Sequence, residues 1–204
     1  VCRHMRKKGV IFMPVTTPQQ KISKTRLFGG EWVEVRLVGD YFDDTLRASQ
    51  SYCAEVDGHF LSPFDDQDVI EGQATVTHEM LEQLGRAPDI FIVPVGGGGL
   101  SSSARRLLLE RAPETEIFYV EPAGGKSLAA AVEAGEPTTI SNVDTFVDGA
   151  AVARIGVHTF AALKGIDSDH VLAIPEDRIC TTILEMLNVE GVVLEPAGAL
   201  ALDA

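Results

Sequence analysis

Four consecutive glycines, Gly96, Gly97, Gly98 and Gly99, separate an apolar run at residues 90–93 from a helical pattern at residues 101–110. Glycine adopts positive φ without strain and allows close backbone approach, but it loses more conformational entropy on folding than other residues. Four in a row therefore indicate a site where close approach is needed. The pattern predicts a buried strand, a tight loop and a helix in immediate succession.

A strand that feeds such a loop into a helix directs several free backbone N–H groups and the positive end of the helix dipole at one point. Phosphate is the natural occupant of that point. No Gly-Lys-Ser/Thr follows, so the loop is not a Walker loop, and the spaced G-x-G-x-x-G of dinucleotide folds is absent. Glu121 nevertheless lies about 20 positions on, where such folds carry an acidic residue, so the dinucleotide alternative is weakened but open. The structural alternative is a flexible tight turn.

Apolar runs alternate with helical patterns along the whole chain, which predicts βαβ units and a largely parallel sheet. Most of the runs are continuous, as in strands buried on both faces, whereas the run at 32–38 alternates and is typical of a strand near a sheet edge. Strands are predicted at residues 10–13, 32–38, 90–93, 117–120, 171–174 and 192–194. Helices are predicted from Pro18 to Gly29, at 43–56, 69–84, 101–110 and 176–187, and from Pro196. The fold class is α/β, with open, mostly parallel twisted sheets and flanking helices.

The segment near residues 59–68 has the character of a crossing between two lobes. Two strand–helix units precede it, and the sheet restarts at residue 90. We expect residues 1–60 to belong to a smaller α/β lobe and residues 61–204 to a larger one that contains the glycine loop. Because the chain starts almost directly in a core strand and stops about two turns into a helix, we also expect a fragment that is incomplete at both ends.

Composition excludes several classes of partner. The formal net charge of −13 disfavours binding to nucleic acid or to an anionic membrane. No apolar run approaches the length of about 18 residues that a membrane-spanning helix requires. Cys2, Cys53 and Cys180 have no metal-ligand spacing and leave one cysteine over in any disulfide scheme, which favours a cytoplasmic protein with reduced thiols.

Three polar stretches are further candidates for function. Phe64-Asp65-Asp66 precedes Gly72-Gln73-Ala74-Thr75, where we expect a strand to end and a helix to begin; these residues either cap the helix, with Asp68 as the N-cap, or line a ligand site. Glu195 and Pro196 follow the last predicted strand, at the edge of the sheet where ligands of α/β folds bind, although a glutamate also suits a helix start. Asp148 and Gly149 are typical of a turn, with ligand or interface contact as the alternative. The five histidines share no metal-ligand spacing.

Several motifs occur together in an order that resembles one enzyme family. They are Ile11-Phe12-Met13-Pro14 with Thr17-Pro18, Phe28-Gly29-Gly30, Gly39-Asp40, Gly72-Gln73-Ala74-Thr75, Pro94 to Leu100, Val120-Glu121-Pro122, Val147-Asp148-Gly149-Ala150-Ala151-Val152 and Glu195-Pro196-Ala197-Gly198-Ala199-Leu200. Together they resemble the threonine dehydratases (threonine ammonia-lyases) of the fold-type II, tryptophan-synthase-β-like group of pyridoxal-phosphate enzymes. The resemblance covers all 204 residues.

The resemblance implies deamination of L-threonine to 2-oxobutanoate and ammonia, as in isoleucine biosynthesis, by a cytoplasmic homo-oligomer that contains pyridoxal 5'-phosphate. Gly96 to Leu100 match the phosphate loop of the family, and Glu195 matches a glutamate near the cofactor ring. Glu121 matches a carboxylate that binds a divalent cation in some relatives. Ser127 stands where those relatives have a second acidic residue, which argues against a metal here.

One segment of the family pattern, which holds the Schiff-base lysine, has no match in this chain. The Schiff-base lysine of the family lies in a Ser-Phe-Lys-x-Arg-Gly segment, which we expect upstream of Val1, so no catalytic residue is assigned here. Lys24, in Ser23-Lys24-Thr25-Arg26, falls in a helix and is interpreted as a surface residue. The isolated chain is therefore expected to be inactive. The alternatives are a serine dehydratase or serine racemase of the same group, or a non-catalytic fragment that acts as a binding or assembly module.

Overall fold

The computed structural model describes residues 1–40 and 42–204. The chain forms two compact units, Val1–Phe60 and Leu61–Ala204. Both units contain parallel strands connected by helices, so the predicted α/β class is confirmed.

The smaller unit is a βαβ arrangement flanked by further helices. Strands β1 and β2 pair in parallel, from Gly9 opposite Val33 to Met13 opposite Leu37, and helix α2 makes the crossover. Pro18 is the N-cap of α2 and not its first residue, and Gly30, with a φ of 54°, ends it. The elements are α1 (Cys2–Met5), β1 (Gly9–Met13), α2 (Gln19–Gly29), a 3-10 turn (Gly30–Trp32), β2 (Val33–Leu37) and α3 (Phe42–Glu55).

The larger unit contains a three-stranded parallel sheet in the order β3-β4-β5. Its elements are α4 (Gln67–Leu84), β3 (Ile90–Pro94), α5 (Gly99–Arg111), β4 (Glu116–Pro122), α6 (Ser127–Ala134), α7 (Val157–Leu163), a 3-10 turn (Ser168–His170), β5 (Val171–Ile174), α8 (Ile179–Glu185), a π-helical segment (Met186–Glu190) and α9 (Pro196–Asp203). Helix α5 packs against α4 and α7, and α9 packs against β3 and β4. The main core lies between the sheet and helices α5, α6 and α7 and includes Val93, Leu108, Tyr119 and Leu163.

The start of α4 differs from the prediction. Asp66 is the N-cap: its Oδ1 accepts hydrogen bonds from the N–H groups of Asp68 (2.9 Å) and Val69 (3.2 Å). Asp68 was predicted as the cap and instead lies in the first turn. Residues 72–75 lie inside α4 and not at a junction between a strand and a helix.

Near the C-terminus one predicted strand is absent and one predicted helix starts later than expected. Residues 192–194 form no strand; Val192 N–H instead donates to the carbonyl of Met186, and Val193 is 80% exposed. The helix predicted at 176–187 begins only at Ile179, so Glu176 precedes it, and Glu176 Oε1 accepts from Gly124 N–H at 2.8 Å. An apolar run is thus used here to connect two helices.

None of the helices within residues 1–40 and 42–204 has the combination of length and apolar character that crossing a bilayer requires. Helices α1, α6 and α7 were not predicted from the sequence. Each has eight residues or fewer, which leaves little periodicity to detect.

Replacing the true cap of α4 should destabilise the larger unit more than replacing the predicted one. Asp66→Ala removes the acceptor of two N–H groups and should lower the free energy of unfolding by about 1 kcal/mol. Asp68→Ala removes only a charge in the first turn, which is worth about 0.3–1 kcal/mol at an exposed site. Urea denaturation of both variants measures the difference. An equal or larger loss for Asp68→Ala would contradict this assignment.

Candidate functional site

The glycine loop lies at the carboxyl end of β3, the edge at which parallel α/β sheets bind ligands. Helix α5 begins at Gly99, two residues earlier than predicted, and its N-cap is Gly98, with a φ of 93°. A glycine cap offers no side chain to the first turn of the helix. The first N–H groups of an α-helix have no carbonyl partner within that helix. The start of α5 is therefore a group of backbone donors with a partial positive charge.

At Gly97 and Gly98, neighbouring residues occupy the space that a side chain would need. A Cβ atom at Gly97 would lie 2.2 Å from the ring of Phe64. At Gly98 it would lie 2.8 Å from Thr159 Oγ1, and the positive φ disfavours any side chain. The close approach predicted from the sequence is thus made, at least in part, to Phe64 and Thr159.

The carbonyl of Gly97 is held by the segment that opens α7. It accepts hydrogen bonds from the Thr159 hydroxyl at 2.8 Å and from Gly156 N–H at 3.2 Å. Thr159 is fully buried. These two bonds fix the orientation of one peptide group in the loop.

Asp65 in turn fixes the start of α7. Its Oδ2 accepts from Val157 N–H at 2.9 Å, and its Oδ1 accepts from the N–H groups of His158 at 2.7 Å and Thr159 at 3.3 Å. The carboxylate therefore caps a helix that starts more than ninety residues later in the chain. Of the two alternatives for Phe64-Asp65-Asp66, capping of the helix that follows is found for Asp66, whereas Asp65 caps the distant helix α7.

The structure places the Gly149 segment beside the glycine loop and Glu195 beside Gly149. A Cβ atom at Gly96 would lie 2.7 Å from the carbonyl oxygen of Gly149 and 3.2 Å from Ala150 Cα. A Cβ atom at Gly149 would lie 3.6 Å from Glu195 Oε1. Glu195 is the N-cap residue of α9. Three stretches that the sequence singled out separately thus lie within one region of the larger unit.

Glu121 lies at the end of β4 and is almost completely buried. Its Oε1 accepts from Leu128 N–H at 2.6 Å and its Oε2 from Ala129 N–H at 2.9 Å. Both carboxylate oxygens thus cap the start of α6. Among the described residues, no three His, Cys, Asp or Glu side chains are grouped as a metal would require. The donor set around Glu121 does not fit a divalent cation.

Burial raises the pKa of Glu121 to about 7, and the hydrogen bonds from Leu128 and Ala129 oppose part of that rise. The charged carboxylate is costly away from water, while N–H donors favour it. The protonation state of this cap therefore changes near neutral pH.

Phe64, Asp65 and Thr159 support the loop, but the sequence indicated only Phe64 and Asp65 as candidates for function. A threonine inside a short helix has no local signal for a partner 62 residues earlier. Lys24 is exposed on α2, as predicted for a surface residue.

Comparison with known proteins gives matches over the whole chain. The model of the family described as "Pyridoxal-phosphate dependent enzyme" matches residues 1–204. The chain is 43% identical over 203 residues to the biosynthetic L-threonine dehydratase IlvA of Bacillus subtilis, covering 100% of this chain and 48% of that protein. It is 44% identical over 199 residues to the Lactococcus lactis protein of the same name, covering 96% and 48%. The chain thus spans about half the length of these relatives.

Solved structures share the fold. The processed form of threonine deaminase isoform 2 from Solanum lycopersicum superimposes with a TM-score of 0.88 at 35% identity, over 98% of this chain and 54% of that chain. Maize serine racemase superimposes with a TM-score of 0.89 at 25% identity, over 99% and 60%. These likenesses confirm the predicted tryptophan-synthase-β-like fold.

Replacing glycine by alanine should destabilise the protein in the glycine loop and stabilise it at a glycine of α4 that has free space around it. Gly97→Ala places a methyl group against the ring of Phe64, and such overpacking costs about 1–3 kcal/mol. At Gly72, inside α4, an added Cβ meets nothing within 4 Å. Gly72→Ala should therefore raise the free energy of unfolding by about 0.5–1 kcal/mol. Thermal unfolding of both variants checks the pair, and a Gly97→Ala variant of wild-type stability would refute the packing described.

The cap of α6 should make stability depend on pH. The folded-state pKa of Glu121 lies above the usual value of 4.5, so the stability from its protonated form is complete below pH 4.5 and is lost as the pH rises to about 7. The glutamine in Glu121→Gln cannot titrate. As the pH rises from 4.5 to about 7, the free energy of unfolding of this variant should therefore rise relative to that of the wild type by up to about 3 kcal/mol.

Denaturant unfolding at several pH values measures this difference. Glu133→Gln, at an exposed position of the same helix, is the control. A constant difference between Glu121→Gln and the wild type would show that Glu121 does not titrate in this window.

Proposed function

Because the chain belongs to the pyridoxal-phosphate dependent enzyme family, we propose that it is the central part of a threonine ammonia-lyase. The parent enzyme would convert L-threonine to 2-oxobutanoate and ammonia. The observation that carries the proposal is the uncapped start of α5 on a glycine loop at the carboxyl end of β3. The names of the relatives that are 43–44% identical supply the substrate.

The residues of the loop fit a phosphate group. Gly97, Gly98 and Gly99 are buried, and Gly96 and Leu100 are half-buried. Backbone N–H groups in such a partly dry position bind an anion more strongly than donors in bulk water. We propose that residues 96–100 bind the cofactor phosphate and that Glu195, close to Gly149, lies near the cofactor ring.

Pyridoxal phosphate, when bound, supplies the electron sink for removal of the Cα proton and loss of the β-hydroxyl group. This chain would bind and orient the phosphate end of the cofactor. We propose that the lysine that holds the cofactor belongs to the parent protein, in a segment before Val1. We also propose that the two compact units are parts of the small and large lobes of the parent catalytic domain, which works as a homo-oligomer.

Serine racemase and serine dehydratase are the second candidate. The maize serine racemase shares the fold, but at 25% identity, compared with 43% for the B. subtilis threonine enzyme. We therefore favour threonine. A third candidate is a shortened chain that pairs with another protein as a binding module.

Activity of the complete parent protein tests the proposal. The reading frame upstream of Val1 should encode a Ser-x-Lys-x-Arg-Gly segment, and the full-length protein should turn over L-threonine with a higher kcat/KM than L-serine. Release of 2-oxobutanoate and of pyruvate measures the two reactions.

The 204-residue chain alone should give no borohydride-trappable adduct and no stable absorbance band near roughly 410–420 nm with pyridoxal phosphate. A stable band from this chain would place the lysine within it. A reading frame that starts at Val1 would favour the binding-module candidate. A preference of the full-length protein for L-serine would favour a serine racemase or serine dehydratase.

A further inference from the structure

The peptide group between Gly97 and Gly98 is the best-anchored part of the glycine loop. Its carbonyl accepts from Thr159 Oγ1 at 2.8 Å and Gly156 N–H at 3.2 Å. In a trans peptide the C=O and N–H groups point in opposite directions, and none of the described residues has a cis peptide bond. With its carbonyl held by α7, this peptide must direct the Gly98 N–H away from α7. The two hydrogen bonds thus aim a donor of the loop.

The three residues 64–66 connect this peptide to two helices. The Phe64 ring occupies the space where a Gly97 side chain would lie. Asp65 caps α7 with three hydrogen bonds, and Asp66 caps α4 with two. Consecutive residues therefore contact the loop, the helix that holds its carbonyl, and the helix that packs on α5.

The charge of Asp65 is compatible with an anion bound nearby. A free carboxylate would repel a phosphate group, but this one accepts three N–H groups at the positive end of α7. Backbone donors compensate a negative charge in this position. Asp65 can therefore support the loop without opposing the ligand.

We infer that Thr159 and Asp65 are positioning residues of the phosphate loop, which set the direction of the Gly98 N–H through the start of α7. The effect on ligand binding rests on the proposed function, whereas the effect on the loop itself does not. In this proposal Thr159 acts through its bond to the Gly97 carbonyl, and Asp65 acts through the start of α7.

A matched pair of variants separates positioning from general stability. Thr159→Val and Thr115→Val each remove one buried threonine hydroxyl that donates to a distant carbonyl; that of Thr115 lies 2.7 Å from the carbonyl oxygen of Pro88. Thr115 precedes β4 and so lies away from the carboxyl end of the sheet. Both variants should lose similar thermal stability. A difference between them in the behaviour of the glycine loop therefore reports the positioning of the loop by Thr159.

Hydrogen exchange of the 204-residue chain is the first measurement. Thr159→Val should accelerate exchange at two loop-anchoring amides by about tenfold, as expected for loss of one hydrogen bond: the Gly156 N–H, which donates to the Gly97 carbonyl, and the Ser102 N–H, which donates to the Gly98 carbonyl. Thr115→Val should change these amides by less than about twofold, since its bond is elsewhere. Thr159→Ser keeps the hydroxyl and should restore the wild-type rates. Asp65→Asn should accelerate exchange at residues 157–159 as well as in the loop.

Ligand affinity is the second measurement, with pyridoxal phosphate, inorganic phosphate and pyridoxal as probes. Thr159→Val should weaken binding of the two phosphate compounds by about tenfold, equivalent to about one hydrogen bond. Binding of pyridoxal, which has no phosphate, should stay unchanged. Thr115→Val should leave all three affinities unchanged.

The two measurements fail in different ways. Equal loop exchange in Thr159→Val and Thr115→Val overturns the positioning role. If the wild-type chain binds pyridoxal phosphate no more tightly than pyridoxal, the proposed phosphate site fails, while faster loop exchange in Thr159→Val still supports the control of the loop by α7. Weaker binding of pyridoxal itself in Thr159→Val would show a general loss of structure and would overturn the inference.

Discussion

Carboxylates that accept backbone N–H groups at the starts of helices organise the larger unit. Asp66 caps α4, Asp65 caps α7, and Glu121 caps α6. In each case the orphan donors of a helix are satisfied by a side chain that precedes the helix in the chain. Helix α5 begins on Gly98 without such a cap. This uncapped start, on a glycine loop at the carboxyl end of β3, is the basis of the proposed phosphate site.

The strands and the site loop could be predicted because their signals are local. Continuous apolar runs identified β1, β3, β4 and β5, and the alternating run at 32–38 became β2, whose Glu34 is exposed. The run at 192–194 had the same signal but lies between two helices, where no strand pairs with it within the described residues. Apolar composition alone does not distinguish a strand from a connection, because pairing depends on the neighbouring segment.

The contacts that support the site could not be predicted, because they are not local. Capping rules examine the residues next to a helix, and they favoured Asp68 for α4 although Asp66 has the required geometry. No such rule connects Asp65 with α7 across more than ninety residues. The resemblance gave Glu121 as a cation ligand in some relatives. In the structure, both carboxylate oxygens of Glu121 instead accept hydrogen bonds from N–H groups at the start of α6.

The division of tasks among residues 64–66 makes chain length critical there. Phe64 packs against the glycine loop, Asp65 caps α7 and Asp66 caps α4. A single insertion or deletion would shift each residue into the place of its neighbour and set an aspartate against the loop or a phenylalanine at a helix start. Homologous chains should therefore vary in length elsewhere, for example in the turn after Gly85, where an added side chain would meet open space. The length of this tripeptide therefore fixes the positions of α4 and α7 relative to the glycine loop.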